Sequence, residues 1–399
     1  MINRFDIASR RRDIFFICHR TGKRFDARVR LEMRFGPATS KEKAAFEQML
    51  ALVEQLKRTT QPGDGAQRMP NGDAIYAAAL AEATTTTMTP DEVHRLGLSQ
   101  VAEYTALLDA LLRQAGYTQG TVGERLTALN KDPKQLYPET DAGRTQLIAD
   151  LNQGVKAMTA RLPQAFATLP SQPLEIRRVP VDIQDGASNG YYNSASLDGT
   201  RPAIYWINLK SVGDWPRYSL PALTYHEGVP GHHLQISLAQ ASTDIPMLRK
   251  ISFFNSYVEG WALYAETLGY DMGFYKDPYQ RFGTLNDEML RAMRLVVDTG
   301  IHTKGWTRNQ AIEYMLSHSG MGKTDATAEV ERYIAIPSQA TAYKVGALTI
   351  QRLRKKAEAE LGPKFDIREF HAQVLMTGAL PLTILEQKIT RWIAAKKAA

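Results

Sequence analysis

Cysteine is nearly absent from this chain: Cys18 is the one thiol in 399 residues. A lone thiol excludes an internal disulfide framework, and it means that any bound metal must be held by imidazole and carboxylate rather than by a thiolate cluster. Long apolar runs are missing too. No stretch of about 18 consecutive apolar residues occurs, which argues against a membrane-spanning helix and a membrane partner. The first residues lack the charged, apolar and small-residue order of a secretory signal, so the chain as written is expected in the cytoplasm. A periplasmic or secreted site would require an upstream exporting segment. Internal repeats are absent, and low complexity is confined to Thr84 to Thr87. What remains, 44% hydrophobic and 23% charged residues, is the composition of a folded globular protein.

The net charge of +7 has one source. Residues 1 to 35 carry ten basic side chains against four acidic ones, so the other 364 residues sum to +1. The basic arm contains no recognisable nucleic-acid-binding module, and no nucleic-acid partner is expected. Residues 41 to 57 have the apolar spacing of a helix, and QPGDGAQRMPNGD at 61 to 73 reads as a Gly/Pro-rich linker. These features divide the chain into a basic leader with one helix, residues 1 to 65, read as a remnant or a poorly ordered arm, and a main domain, 66 to 399.

The main domain is predicted to be mainly α with one small β-sheet. Thr89 followed by Pro90 and Glu92 is a helix start, with the threonine as N-cap, and a further helix is predicted over 142 to 161. β-branched and aromatic residues cluster at LEIRRVPVDI (174 to 183) and at GYYNSASLDGTRPAIYWINL (190 to 209), around an Asp198-Gly199 turn. Helical patterns resume after Pro216 and run nearly to the end.

Three of the eight histidines fall in Tyr225-His226-Glu227-Gly228-Val229-Pro230-Gly231-His232-His233. Zinc peptidase helices commonly space two histidines four apart, one helical turn, with a glutamate beside the first as general base. Here the second histidine comes six or seven residues on. On an unbroken helix His233 would sit roughly 10.5 Å along the axis from His226, too far to share an ion. Pro230 and Gly231 must bulge or break the helix. If two residues are absorbed there, His226 and His232 become ligands of one zinc ion and Glu227 the base. His233 then points toward the substrate or supports a ligand, and it replaces His232 as ligand if the register differs. In VEGWALYAE, on an apolar stretch, Glu259 is the candidate third ligand and Glu266 a group that holds a ligand from behind. The competing reading is a histidine-rich turn satisfied within a core.

The motifs HEGVPGHH, VEGWALYAE, RAMRLVVDTGIHTKGW and ERYIAIPSQATAYKVG, in this order, resemble the domain-of-unknown-function 885 family, bacterial proteins similar to helical zinc metallopeptidases such as angiotensin-converting enzyme and carboxypeptidase Taq. The likeness covers roughly 66 to 399. It implies a helical zincin-like catalytic domain that acts on a peptide substrate, with zinc on His226, His232 and Glu259 and with Glu227 as base. Tyr343 resembles the late tyrosine that donates to the oxyanion in the converting-enzyme group. His302 is a second candidate for that role; Asp298, one turn before it, either orients an imidazole or a zinc ligand or forms a purely structural helix pair with it, and Lys344 or Arg332 is a candidate for holding a substrate carboxylate. Tyr191 and Tyr192 are candidates for a sheet edge along which a peptide lies. Two features depart from the family: the wider spacing of the histidines, and residues 1 to 65, which do not look like its longer N-terminal helical part. The expectation is a zinc-dependent peptidase; the alternatives are a catalytically impaired, truncated scaffold or a metal-dependent hydrolase of a non-peptide amide. The sequence sets no oligomeric state.

Overall fold

Short polar signals set where several helices begin. In the computed structural model, which describes residues 40–185, 187–275 and 278–398, the order is α1 (Ser40–Thr59), α2 (Gly72–Thr84), α3 (Pro90–Gln114), α4 (Val122–Asn130), α5 (Asp141–Thr159), β1 (Leu174–Arg178), β2 (Gly190–Asn193), β3 (Ala203–Ile207), α6 (Leu220–Glu227), α7 (His232–Ala241), α8 (Met247–Ile251), α9 (Asn255–Asp271), α10 (Pro278–Thr303), α11 (Arg308–His318), α12 (Lys323–Ala335), α13 (Ala342–Leu361), α14 (Ile367–Leu375) and α15 (Leu382–Ala398). At the head of α3 the Thr89 hydroxyl accepts from the Glu92 N–H and the Glu92 carboxylate accepts from the Thr89 N–H. The same reciprocal box opens α4 at Thr121 and Glu124, and α11 at Thr307 and Gln310. The expected basic leader at 1 to 35 lies outside the described residues.

The chain divides into two units, Met1–Gly63 with Val179–Ser188, and Asp64–Arg178 with Asn189–Ala399. The first contains α1, on which Leu52 and Leu56 are exposed. The second is mainly α, with a three-stranded sheet in the order β1-β3-β2. β2 runs antiparallel to β3, with Tyr192 opposite Tyr205, and β1 runs parallel to β3. The expected first strand is shorter than its apolar stretch and stops at Arg178, just before Val179-Pro180. Proline cannot donate to a ladder, which accounts for the stop.

Two long helix pairs carry the second unit, α3 along α10 and α9 along α13. α9 and α13 approach closely because glycine faces glycine. A Cβ on Gly260 would lie 2.5 Å from the Gly346 Cα, and one on Gly346 would lie 1.9 Å from the Ser256 carbonyl oxygen. This crossing brings the first turns of both helices together, and with them Glu259 and Tyr343. Fully buried Tyr257, Trp261 and Tyr264 fill the surrounding core with Leu234, Ile350 and Phe370. Side chains of this size each contribute roughly 1.5–3 kcal/mol by leaving water.

Candidate metal centre

α6 ends on His226 and Glu227, and α7 begins at His232. Between them the chain leaves the helix through Gly228, a cis Val229–Pro230 peptide and Gly231. The Gly231 N–H donates to the Tyr225 carbonyl at 2.9 Å, six residues back, where a continuous helix would bond four back. Two residues are therefore looped out, and His232 takes the place that the residue four after His226 would hold. The predicted interruption is a break between two helices rather than a bulge within one. Gly231 cannot be replaced without movement, since a Cβ there would lie 2.0 Å from the His226 carbonyl oxygen. Trp261 on α9 fastens the break by donating its indole N–H to the Pro230 carbonyl at 2.9 Å.

His226, His232 and Glu259 each offer one ligand atom, and these atoms lie within 4.8 Å of one another; among the described residues they are the one such group of His, Cys, Asp or Glu. Nε2 of His226 is 3.6 Å and Nε2 of His232 is 3.4 Å from Oε2 of Glu259. A tetrahedral zinc ion with bonds of about 2.0–2.1 Å has ligand-to-ligand edges of about 3.3–3.4 Å, so both separations suit a common ion. Behind His226, Nδ1 is 2.7 Å from Oε1 of the fully buried Glu266. A carboxylate in that position fixes the ring and the tautomer that turns Nε2 toward a metal.

Burial alone would lower the His226 pKa, but the adjacent Glu259 carboxylate and the hydrogen-bonded Glu266 raise it to about 10. Burial raises Glu266 to about 7 against the pull of His226. Burial also opposes ionisation of Glu259, yet the adjacent imidazoles of His226 and His232 hold it below the usual carboxylate range. With Glu227, three carboxylates thus surround two imidazoles, a donor set and charge suited to a dication. Glu227 is 7% exposed and makes no hydrogen bond to a described residue.

Tyr343, in the first turn of α13, stacks on the His226 ring at 6.5 Å between ring centres. Burial, then the charge of Glu259, raises its hydroxyl pKa, so it remains a proton donor. The guanidinium carbons of Arg291 and Arg294 lie 5.3 and 4.6 Å from its ring centre.

Other expected site residues are engaged elsewhere. His233 donates from Nε2 to the Gln172 carbonyl at 3.0 Å and accepts at Nδ1 from the Tyr192 hydroxyl at 3.2 Å. Burial lowers its pKa to about 4, and the neutral ring is pinned beside β2, outside the group formed by His226, His232 and Glu259. The oxyanion role expected of His302 requires correction. Its Nδ1 accepts the Ala66 N–H at 3.0 Å and its Nε2 donates to the Tyr333 carbonyl at 3.0 Å, so no N–H is left for substrate. Asp298 orients no imidazole: it accepts from the Tyr76 hydroxyl at 2.6 Å and from the Ser338 N–H at 3.0 Å. Lys344 is fully buried on Glu288 and the Tyr104 hydroxyl, and Arg332 is bound to Glu329 and Gln339. Neither is free to meet a substrate carboxylate.

Sequence reasoning missed Asp287, Arg291 and Arg294. Their spacing, i, i+4 and i+7 on a helix whose other face is apolar, was the available signal, since charges in such a row share one side of a buried helix.

The chain belongs to a known group of bacterial proteins. Residues 13–389 match the family described as "Bacterial protein of unknown function (DUF885)", and the chain is a member of it. The crystal structure of a "putative lipoprotein" from Colwellia psychrerythraea is 43% identical with a TM-score of 0.87; the alignment covers 88% of this chain and 60% of that one, so this chain spans about 60% of that relative's length. A "putative lipoprotein of unknown function" from Shewanella oneidensis, 18% identical with a TM-score of 0.72 over 91% of this chain and 70% of that one, shares the fold. No curated protein matches the chain. These kinships name no activity, and they lend no support to the expected likeness to zinc peptidases.

Proposed function

We propose that this chain is a zinc-dependent peptidase. One observation carries the reading: two imidazole nitrogens and a carboxylate oxygen converge with separations of 3.4 and 3.6 Å, and a buried carboxylate holds the first imidazole from behind. Zinc held by His226, His232 and Glu259 would supply Lewis acidity, polarising a peptide carbonyl and acidifying water. Glu227, next to a ligand and without a hydrogen-bond partner among the described residues, takes the proton of the attacking water and passes it to the departing amine nitrogen. Tyr343 donates its O–H to the carbonyl oxygen as that atom gains charge. Glu266 holds the Nδ1 proton of His226, so the Nε2 proton is the one a bound metal would displace, and that nitrogen is directed inward.

A site in the cell envelope accords with the relative described as a "putative lipoprotein". No helix among the described residues is long and apolar enough to cross a membrane.

The test pairs elemental analysis with hydrolysis of a peptide library, with and without chelator. The expected result is about one zinc per chain and chelator-sensitive cleavage. Absence of metal sinks the reading at its base. Zinc without any cleavage leaves a metal-binding scaffold and removes the peptidase.

A further inference from the structure

The hydrolytic chemistry leaves two arginines of α10 unused. Arg291 and Arg294 are only 8% and 6% exposed. A buried guanidinium normally has acceptors, because its charge is otherwise stripped of water without compensation. Arg294 is partly served: Nε and Nη2 donate to Glu329, and Nε also to the Tyr333 hydroxyl, while Nη1 is enclosed without an acceptor. Arg291 is not served by any described residue. It makes no hydrogen bond or ion pair with a described residue, and its Nε is enclosed without a partner. Asp287 and Glu266 lie within electrostatic reach of Arg291, but neither pairs with it.

Both guanidinium groups face one ring. Arg291 and Arg294 stand 5.3 and 4.6 Å from the centre of Tyr343, and that ring is 6.5 Å from the imidazole of His226. These two steps limit how far the unserved donors are from the candidate metal centre. Since a peptide residue spans at most about 3.3–3.6 Å, the donors are within reach of a group about one to three residues from the reacting carbonyl. The group they lack is a planar anion with two acceptor oxygens, which matches the fork of a guanidinium.

We propose that Arg291, together with Nη1 of Arg294, receives a substrate carboxylate, and that this carboxylate is the free C-terminus of a peptide cleaved near its end. The proposal rests on the zinc peptidase reading for the cleavage, while the carboxylate site itself stands on the unserved arginines. An acidic side chain within the substrate offers the same chemistry. The test therefore separates the two sources, and it reads binding rather than turnover.

Trialanine as the free acid, trialanine amide and Ala-Asp-Ala amide are titrated calorimetrically into the full chain as purified, in a Glu227→Gln background so that no peptide is consumed. The free acid should bind about 10–100-fold more tightly than trialanine amide, the range of a charge-assisted contact. Arg291→Gln should abolish that preference, and Arg291→Lys, which keeps the charge without the fork, should retain part of it. Equal binding of acid and amide, or no binding of any of the three, overturns the proposal. If Ala-Asp-Ala amide binds like the free acid, the C-terminal assignment is overturned. Should Arg291→Gln fail to fold, the comparison of acid with amide in the parent background decides the matter. A chain that shows the preference but binds no zinc overturns the peptidase reading and keeps the carboxylate site.

Discussion

The break between α6 and α7 and the C-terminal half of α10 present the same residue types, a histidine near an acid on a buried helix, and use them in opposite ways. At the break, His226 is bonded at Nδ1 by Glu266, and its Nε2 faces a second histidine and Glu259. On α10, both nitrogens of His302 are taken by backbone groups, and Asp298, one turn away, is spent on Tyr76 and Ser338. What distinguishes a ligand from a structural histidine is the atom left over once the neighbours have been satisfied.

The sharpest way to test that contrast is at Glu227. Glu227→Gln keeps size and hydrogen-bonding capacity but removes the base, so turnover should fall by about 10²–10⁴-fold while zinc and melting temperature are kept. Hydrolysis at the parent rate would show that Glu227 is not the base. Tyr343→Phe should lower kcat by about 10²–10³-fold, the usual loss on removing one oxyanion donor. His302→Gln should leave kcat of the folded fraction unchanged and reduce stability instead, by about 1–3 kcal/mol through an orphaned backbone group. If the kinetic loss appeared at His302 and not at Tyr343, the two regions would have to exchange roles.

Glu266→Gln tests the support behind the ligand, and zinc affinity measured by chelator competition should fall about 10–100-fold. An unchanged affinity would make Glu266 a mere packing group. The smallest effect concerns pH. Burial depresses His233 to about 4 and His371 to about 3, both below the ordinary histidine value. Between those values and about 6.5 the unfolded chain binds the extra protons, so stability is lost as pH falls through that window, at up to roughly 1.4 kcal/mol per pH unit for each histidine. Urea midpoints at pH 7 and pH 5 should differ less in His371→Gln than in the parent. An identical difference in both chains would rule out His371 as a source of the slope.

Much of the local structure was legible because its causes are local. The α3 capping box sits at Thr89 and Glu92, and the helix expected over 142 to 161 is observed at Asp141–Thr159. The Pro230-Gly231 interruption was legible as a break, but the choice between His232 and His233 as the partner of His226 needed the Gly231-to-Tyr225 bond that loops out two residues. The strand expected over 174 to 183 was too long because its apolar pattern continues past the proline that ends the ladder. Asp298 and His302 misled for a different reason. A spacing of four places two side chains on one helix face, yet says nothing of what lies opposite, and here that was Tyr76, Ser338 and backbone from two distant segments.

By itself the sequence determined which side chains are candidates to hold a metal and where the helix that carries them must break. Both follow from residue chemistry and from backbone rules that act over a few positions. Only the tertiary structure decided which of those side chains keep an atom free. The crossing of α9 and α13 at Gly260 and Gly346 brings Glu259 and Tyr343 to His226, while long-range bonds to Gln172, Ala66 and Glu288 withdraw His233, His302 and Lys344. Availability is a property of three-dimensional neighbours, since a buried polar atom is bonded by whatever the fold sets within reach of it.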